Sequence, residues 1–318
     1  MGQLKVAFWN VQNLFGPGAV PRGPQSVDEF DDKIAALCAV MNGFFDGAGP
    51  DLLGIAEAAS GAIVNRLAGA LVGPYTTVWE PAGSAANTGL ALLGRTSVFG
   101  RIHRVESYRP TTFARPRWLA VRCETHGVSE PFLAVVNHWK SRMPPAHIAA
   151  NDRIQAAREL GDFLARQQRH ACAIVFGDFN AEPFEPPFAD TALRARRTFA
   201  GALWRRATPA YLYNTAWRFL AEPEMWEAAG QPGYQEPRPK TTHGIQRPVV
   251  FDQLLVSGRA LQNGPIRLRE ASIEYLWDQA TSRRNNRGEL QPFAWKWRSA
   301  RDFEGVSDHF PLLARFDF

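Results

Sequence analysis

Polar residues stand where apolar strands of this chain stop or begin. Asn10 ends "VAFWN", Glu57 ends "DLLGIAE", and Asn137 with His138 ends "PFLAVVNH". The run "AIVFGDFNAEP" puts Asp178 and Asn180 after a buried strand and a glycine. Asp252 lies within "VVFDQLLVS", and Asp308 and His309 precede the last strand in "SDHFPLLARF". A cap or a turn explains any one of these residues. Six strands repeating the arrangement point to one shared site at a sheet edge.

The residue types say what chemistry such a site would do. Carboxylates and asparagines without cysteine form a hard, oxygen-rich donor set, which suits Mg²⁺ or Mn²⁺ better than zinc. Two histidines add groups that change protonation near neutral pH. A metal, an activated water and cationic donors are what hydrolysis of a phosphate ester requires.

Alternating helix and strand patterns must position these groups. The chain opens on a strand with Leu4, Val6 and Phe8 on one face. Ser26 and Glu29 form a capping-box pair before a helix carrying Ile34, Leu37, Cys38, Met41 and Phe44 on one side. Ser60 is placed to cap a second helix bearing Ile63, Leu67 and Leu71. Strands "YTTVW", "GLALLG", "WLAVRCET" and "PFLAVVNH" follow, then a helix over 148–168 and a buried strand over 173–176. A glycine after that strand would let the chain turn sharply, so that Asp178 and Asn180 face a cleft. Stretches near 184–247 and 265–305 show little periodicity and are expected as long surface loops. No composition shift marks a linker, so the expectation is one α/β domain over 1–318, with two sheets and helices outside.

The 318 residues carry 36 Lys+Arg against 31 Asp+Glu, a net charge of +5 that suits a polyanionic substrate. Residues 194–206 hold five arginines and no acid, and residues 267–301 hold eight basic residues against four acids with Trp277, Trp295 and Trp297 among them. Arginine mixed with tryptophan suits phosphate contact and base stacking, which makes Arg194, Arg196, Arg197, Arg205, Arg206 and Trp295 candidate nucleic-acid contacts. A solvated loop face is the plainer explanation of each basic run. Three cysteines, Cys38, Cys123 and Cys172, lie in apolar patterns without paired spacing and read as buried thiols, not a disulfide or zinc framework. The N-terminus enters a strand almost at once, so a cytoplasmic location without membrane attachment is the expectation. His103, His126, His147 and His170 fall outside the motifs and read as structural or surface histidines; His243 is a loop residue that could line the cleft.

The segments "WNVQNL", "GIAE", "VNHWKSR", "GDFNAEP", "FDQLLVS" and "SDHFPLLARF" resemble, in order and spacing, the endonuclease/exonuclease/phosphatase superfamily with its DNase I-like fold. The resemblance runs from about residue 4 to 316. It implies a four-layer α/β/β/α sandwich, two packed mixed β-sheets flanked by helices, with the site at one end of the strands. It further implies that Glu57 is the principal metal ligand, with Asn10 close by and Asp308 on the metal or its waters. Asp178 would orient or deprotonate the attacking water, and Asn180 would hold the phosphate or the nucleophile. His309 would contact the scissile phosphate or transfer a proton, with Asp252 fixing its tautomer. His138 would be a phosphate contact or the acid for the leaving oxygen. Asn137 and Arg142 are candidates for the phosphate itself, the latter because a guanidinium fork matches phosphate oxygens.

Some positions depart from the family pattern. Ala56 stands where many members have Gln, Gln12 where abasic-site endonucleases carry an acid, and His138 where those enzymes tend to have Tyr. These departures lower an abasic-site reading and leave a metal-dependent phosphodiesterase intact. The expected function is hydrolysis of DNA, or RNA, with Mg²⁺ or Mn²⁺. A phosphatase or phosphodiesterase on an inositol phosphate, a phospholipid or another small ester is the alternative, and a catalytically inactive nucleic-acid-binding protein the remote one.

Overall fold

The alternation along the first strand sorts the whole molecule into layers. In β1 (Gln3–Leu14), Leu4, Val6 and Phe8 point into a core shared by two sheets, while Ala7, Trp9 and Val11 point into a second core under helices. Successive strand residues face opposite ways, so a strand apolar at both parities must be covered on both faces. The computed structural model describes residues 2–111, 115–143, 145–167, 171–189, 193, 195–196, 211–220, 242–243, 248–278, 280–284, 290–295 and 305–318.

The strands after β1 are β2 (Leu52–Ala58), β3 (Tyr75–Glu80), β4 (Gly89–Arg95), β5 (Phe99–Tyr108), β6 (Trp118–Thr125), β7 (Phe132–His138) and β8 (Cys172–Asp178). They continue with β9 (Ala195–Arg196), β10 (Leu212–Asn214), β11 (Thr242–His243), β12 (Pro248–Val249), β13 (Asp252–Ser257), β14 (Arg267–Tyr275), β15 (Ser282–Arg284), β16 (Leu290–Pro292) and β17 (Leu312–Asp317). One six-stranded sheet runs β14-β17-β1-β2-β4-β3, and a seven-stranded sheet runs β5-β6-β7-β8-β13-β10-β9. Both are mixed: β1–β2 and β7–β8 are parallel, and their other main neighbours are antiparallel.

Helices α1 (Val27–Gly43) and α2 (Gly61–Ala70) cover the first sheet, where Ile34, Leu37, Met41, Val64 and Leu67 meet Trp9, Leu53, Ile55 and Leu93. Helix α3 (Ala146–Arg166) covers the second sheet, with Ala156, Leu160, Phe163 and Leu164 against Leu133, Val135, Ala173 and Val175. The order of layers is therefore α/β/β/α. Ser26 caps α1 by accepting from Glu29 N (3.1 Å), and Ser60 caps α2 by accepting from Ile63 N (3.3 Å). The Glu29 carboxylate reaches Gln25 N, one residue beyond the position a closed capping box uses.

Three expectations change. Strand β5, with four of its ten residues half-buried and four exposed, forms an edge that its weak alternation hides in the sequence. The stretch after residue 265 is not all loop, because Arg267–Tyr275 pairs with β17; a shift in register between Arg269 and Glu274 breaks the alternation that would have marked it. Arg267 and Arg269 there are ion-paired with Asp317. Finally, Asp252 opens β13 instead of lying inside a longer strand, since Pro248 and Val249 pair separately with Thr242 and His243.

These pairings bring every motif to one end. Parallel β1, β2, β7 and β8 contribute their C-terminal ends, and antiparallel β13 and β17 contribute their starts. Gly177 makes the closest approach, at φ +146°, and a Cβ there would lie 2.2 Å from the Asn137 carbonyl oxygen on the adjacent strand. Backbone cannot yield as a side chain can. Gly177→Ala is expected to destabilise the fold by about 2 kcal/mol or more, read as a lower midpoint in urea unfolding.

Candidate active site

Two carboxylates meet across paired strands. Asp178 at the end of β8 and Asp252 at the start of β13 are register partners, an arrangement of like charges that opposes pairing unless a cation intervenes. His309 supplies that cation: its Nδ1 lies 2.8 Å from Asp252 Oδ2 and its Nε2 lies 3.8 Å from Asp178 Oδ2. Burial works against a charged ring, but Asp252, Asp178 and Asp308 together raise its pKa well above the usual 6.5. The loop carrying it is tied to β1, because Trp9 Nε1 donates to the His309 carbonyl (2.8 Å) and Ser307 Oγ to the Asn10 carbonyl (2.6 Å).

Glu57 faces this group from the other sheet. It has φ +69° and is passed over in the β2–β4 register, where Ala56 and Ala58 pair with Leu90 and Gly89. Such a bulge re-aims one side chain out of the sheet. Gln12 (φ +47°), Asn13 (φ +53°) and Asn180 (φ +49°) share the left-handed conformation, so four strained residues gather at the site. Non-glycine residues there cost on the order of 1–3 kcal/mol each and persist where surrounding structure holds them. Asn13 N donates to Glu57 Oε2 (2.8 Å), and Gln12 N donates to Asn10 Oδ1 (3.1 Å).

Asn10 Nδ2 lies 3.3 Å from Glu57 Oε1 and 3.1 Å from Asp178 Oδ2, so one amide spaces two carboxylates. His138 Nε2 stands near the same pair, 3.5 Å from Glu57 and 3.8 Å from Asp178. Burial holds the His138 pKa below its usual value despite both acids. Burial also opposes ionisation of Glu57, but His138, Arg115, the Asn13 N–H and His309 outweigh it and leave the carboxyl below its ordinary range. Burial raises Asp178, with Asp252 adding to it. Asp308 is pushed up to about 6, first by burial and then by the charge of Glu57.

The loop after β8 is anchored by alternation. Phe179 turns inward to an aromatic cluster, 4.8 Å from Trp139 and 5.2 Å from Phe188 between ring centres, so its neighbours Asp178 and Asn180 turn to the site. Asn180 N donates to Asp178 Oδ1 (2.9 Å) and its Nδ2 to the Trp139 carbonyl (3.1 Å). Buried Gln253 holds the loop's far end, donating to the Ala181 and Val250 carbonyls.

The structure thus brings Asn10, Glu57, His138, Asp178, Asn180, Asp252, Asp308 and His309 together. Asn137 is different. Its amide donates to the Val135 and Phe176 carbonyls and its oxygen accepts from Trp139 Nε1, so this fully buried side chain is spent on the sheet and presents nothing to a phosphate. Arg142 lies at the rim, donating to the Asn180 carbonyl (3.2 Å), paired with Glu185 and stacked on Phe251 at 4.4 Å. Trp295, a candidate nucleic-acid contact, is only 3% exposed and packs beside Lys33. Arg194, Arg197, Arg205 and Arg206 lie outside the described residues, and of Arg196 only the backbone, in β9, is described.

Two cations at the site escaped the sequence reading. Arg115, half-buried with its Nε on Asn87 Oδ1 (2.9 Å), acts on Glu57 from an irregular loop without a signal. Lys33 is fully buried in α1. Its spacing from Phe30 and Leu37 puts it on the apolar stripe, a mark that was legible.

Two packed mixed sheets with this acid, amide and histidine cluster at one end define a phosphoester hydrolase of the DNase I-like class. The chain belongs to the Endonuclease/Exonuclease/phosphatase family, whose model matches residues 7–309. No curated protein matches it. Among solved structures it is similar to D. rerio TDP2 complexed with single-strand DNA product, at 16% identity, TM-score 0.59 and 100% of both chains. It is also similar to the human Nocturnin catalytic domain with bound sulfate (17% identity, TM-score 0.55, 99% of this chain and 94% of that one). The Bacteroides thetaiotaomicron mannosyl-6-phosphatase Bt3783 matches at 17% identity and TM-score 0.57, over 99% of this chain and 100% of that one.

Family members depend on a divalent metal, and the donors present fit one. Glu57 and Asp178 converge within 3.8 Å of the same ring nitrogen of His138, and Glu57 with Asp308 adds a second pair of mutually repelling acids. Asp178, Asp252 and His309 also converge, with ligand-type atoms within 4.8 Å of one another. There His309 already supplies positive charge and Asp252 is tied to it.

In metal-free protein His309 should hold its proton through pH 7. A raised value stabilises the fold fully below pH 6.5, and that contribution is lost as pH rises through the folded-state value. Asp252→Asn removes the strongest of the attractions and should move the titration to lower pH, read from histidine ring shifts by NMR.

Proposed function

We propose that the chain is a divalent-metal-dependent phosphodiesterase acting on nucleic acid, with DNA as the foremost substrate and the described layers as one catalytic domain. The observation that carries this reading is the His309 ring held between Asp252 and Asp178, facing Glu57 across the cleft. A Mg²⁺ or Mn²⁺ ion held by Glu57 and Asp308, with Asn10 beside them, would supply Lewis-acid charge at a phosphoryl oxygen.

The chain's own groups do the rest. Asp178, with its pKa raised by burial, takes a proton from the attacking water, and Asn180 next to it holds that water. His309, kept charged by Asp252, donates to the phosphoryl oxygens where negative charge grows. His138, kept toward its neutral form, contacts the phosphate from the Glu57 side. Arg115 acts on Glu57 and Arg142 lies beside the Asn180 loop, and two guanidinium groups around the site suit a chain of phosphates more than a single one.

The likeness to a TDP2 seen with a single-strand DNA product supports a nucleic acid. The comparable likeness to a mannosyl-6-phosphatase favours a second reading, a phosphatase on a small sugar phosphate. The test presents supercoiled plasmid, linear duplex, single-stranded DNA, RNA, an inositol phosphate and mannose 6-phosphate, with Mg²⁺, Mn²⁺ or EDTA. Cleavage of nucleic acid in metal is expected, with no cleavage in EDTA. Asp178→Asn and His309→Ala should each lower kcat by about 10²–10⁴-fold. Phosphate release from the small esters with every nucleic acid intact would overturn the nuclease assignment. Activity that survives EDTA and both substitutions would overturn the site.

A further inference from the structure

Lys33 is a lysine in a place where lysine is costly. It is 0% exposed and lies on the inner face of α1, and burial pulls its pKa down to about 7 against the attraction of Asp308 and Glu57. Its Nζ donates to the Gln12 carbonyl and lies 5.2 Å from the centre of the Trp295 ring. Trp295 N in turn donates to Gln12 Oε1 (2.8 Å), so both ends of Gln12 are gripped.

Gln12 and Asn13 form the left-handed bend of β1, and the bend does two jobs. The Gln12 N–H fixes Asn10 Oδ1, and the Asn13 N–H fixes Glu57 Oε2. We propose that Lys33 is a positioning residue of the metal centre: its grip on the Gln12 carbonyl holds the bend that aims Asn10 and Glu57. The proposal rests on the metal-dependent reading of the site. It differs from charge balance alone, and the two make opposite predictions. Removing a positive charge beside carboxylates strengthens cation binding if charge is all that matters. Releasing the bend weakens it, because groups that orient metal ligands are worth about 10–100-fold in metal affinity.

Mn²⁺ binding to the full chain, followed by the EPR signal of free Mn²⁺, separates them. Lys33→Met keeps the buried stem and loses the donor; its Mn²⁺ dissociation constant is expected to rise about 10-fold or more. Lys33→Arg, which keeps donor and charge, should recover most of that affinity. At saturating Mn²⁺ the KM of Lys33→Met for substrate should match that of the wild type. Circular dichroism in EDTA establishes that the variant is folded. If Lys33→Met does not fold, Lys33→Gln, whose amide is too short to span to Gln12, takes its place in the same titration. Affinity equal to or tighter than wild type in the folded variant overturns the proposal. A wild-type chain that binds no Mn²⁺ overturns the metal reading beneath it.

Discussion

Everything at this end of the molecule depends on the contact between His309 and the two aspartates of β8 and β13. Strand pairing sets Asp178 opposite Asp252, and no rearrangement of side chains alone would part them. Two buried carboxylates in register would oppose the central pairing of the seven-stranded sheet. The imidazolium between them turns that opposition into a bridge, and so couples the loop before β17, in one sheet, to β8 and β13 in the other. The anchors on that loop, from Trp9 and to Asn10, are then part of the electrostatics as well as the packing.

The same logic explains where strain collects. Glu57 and Asn10 arrive from parallel strands, whose regular pleat would send neighbouring side chains to opposite faces. To aim both at one point, β2 bulges at Glu57 and β1 bends at Gln12 and Asn13. A site built from sheet ends gains rigidity from the sheets but must break the pleat locally to converge. The left-handed residues are those breaks. The hydrogen bonds from the Gln12 and Asn13 N–H groups recover part of their cost by holding the very side chains the bends aim.

What was legible in the sequence follows from this division. Glu57, Asp178, Asp252 and His309 stand out in the sequence because apolar strands flank them, and two sheets with helices outside are legible in the mix of strand and helix patterns, while the order of four layers is carried by the family resemblance. The residues misjudged were those whose meaning depends on direction. Asn137 and His138 are adjacent and equally polar, yet the pleat sends Asn137 to the backbone of β7 and β8 and His138 to the site. Trp295 is a candidate nucleic-acid contact by its basic neighbours, but Gln12 and Lys33 draw it inward. Lys33 is hard to read because lysine in a helix normally marks the solvent face, although its place on the apolar stripe says otherwise. No periodicity could reveal Arg115, which sits in a loop and matters only through its distance to Glu57.

On the proposed function, recognition of the phosphate is separate from recognition of what it is attached to. The acids and histidines come from strand ends and carry the fold's stability with them, so their identity is constrained twice, by packing and by charge. The rim groups bear less of that burden. Arg142 rests on Phe251 and Glu185 at the edge, and Arg115 on Asn87, and neither lies in the pairing of a sheet. That separation is a physical reason why structures sharing this fold carry names as different as TDP2, Nocturnin and a mannosyl-6-phosphatase. Under the proposed function, the reaction belongs to the sheet ends and the choice of ester to the loops around them.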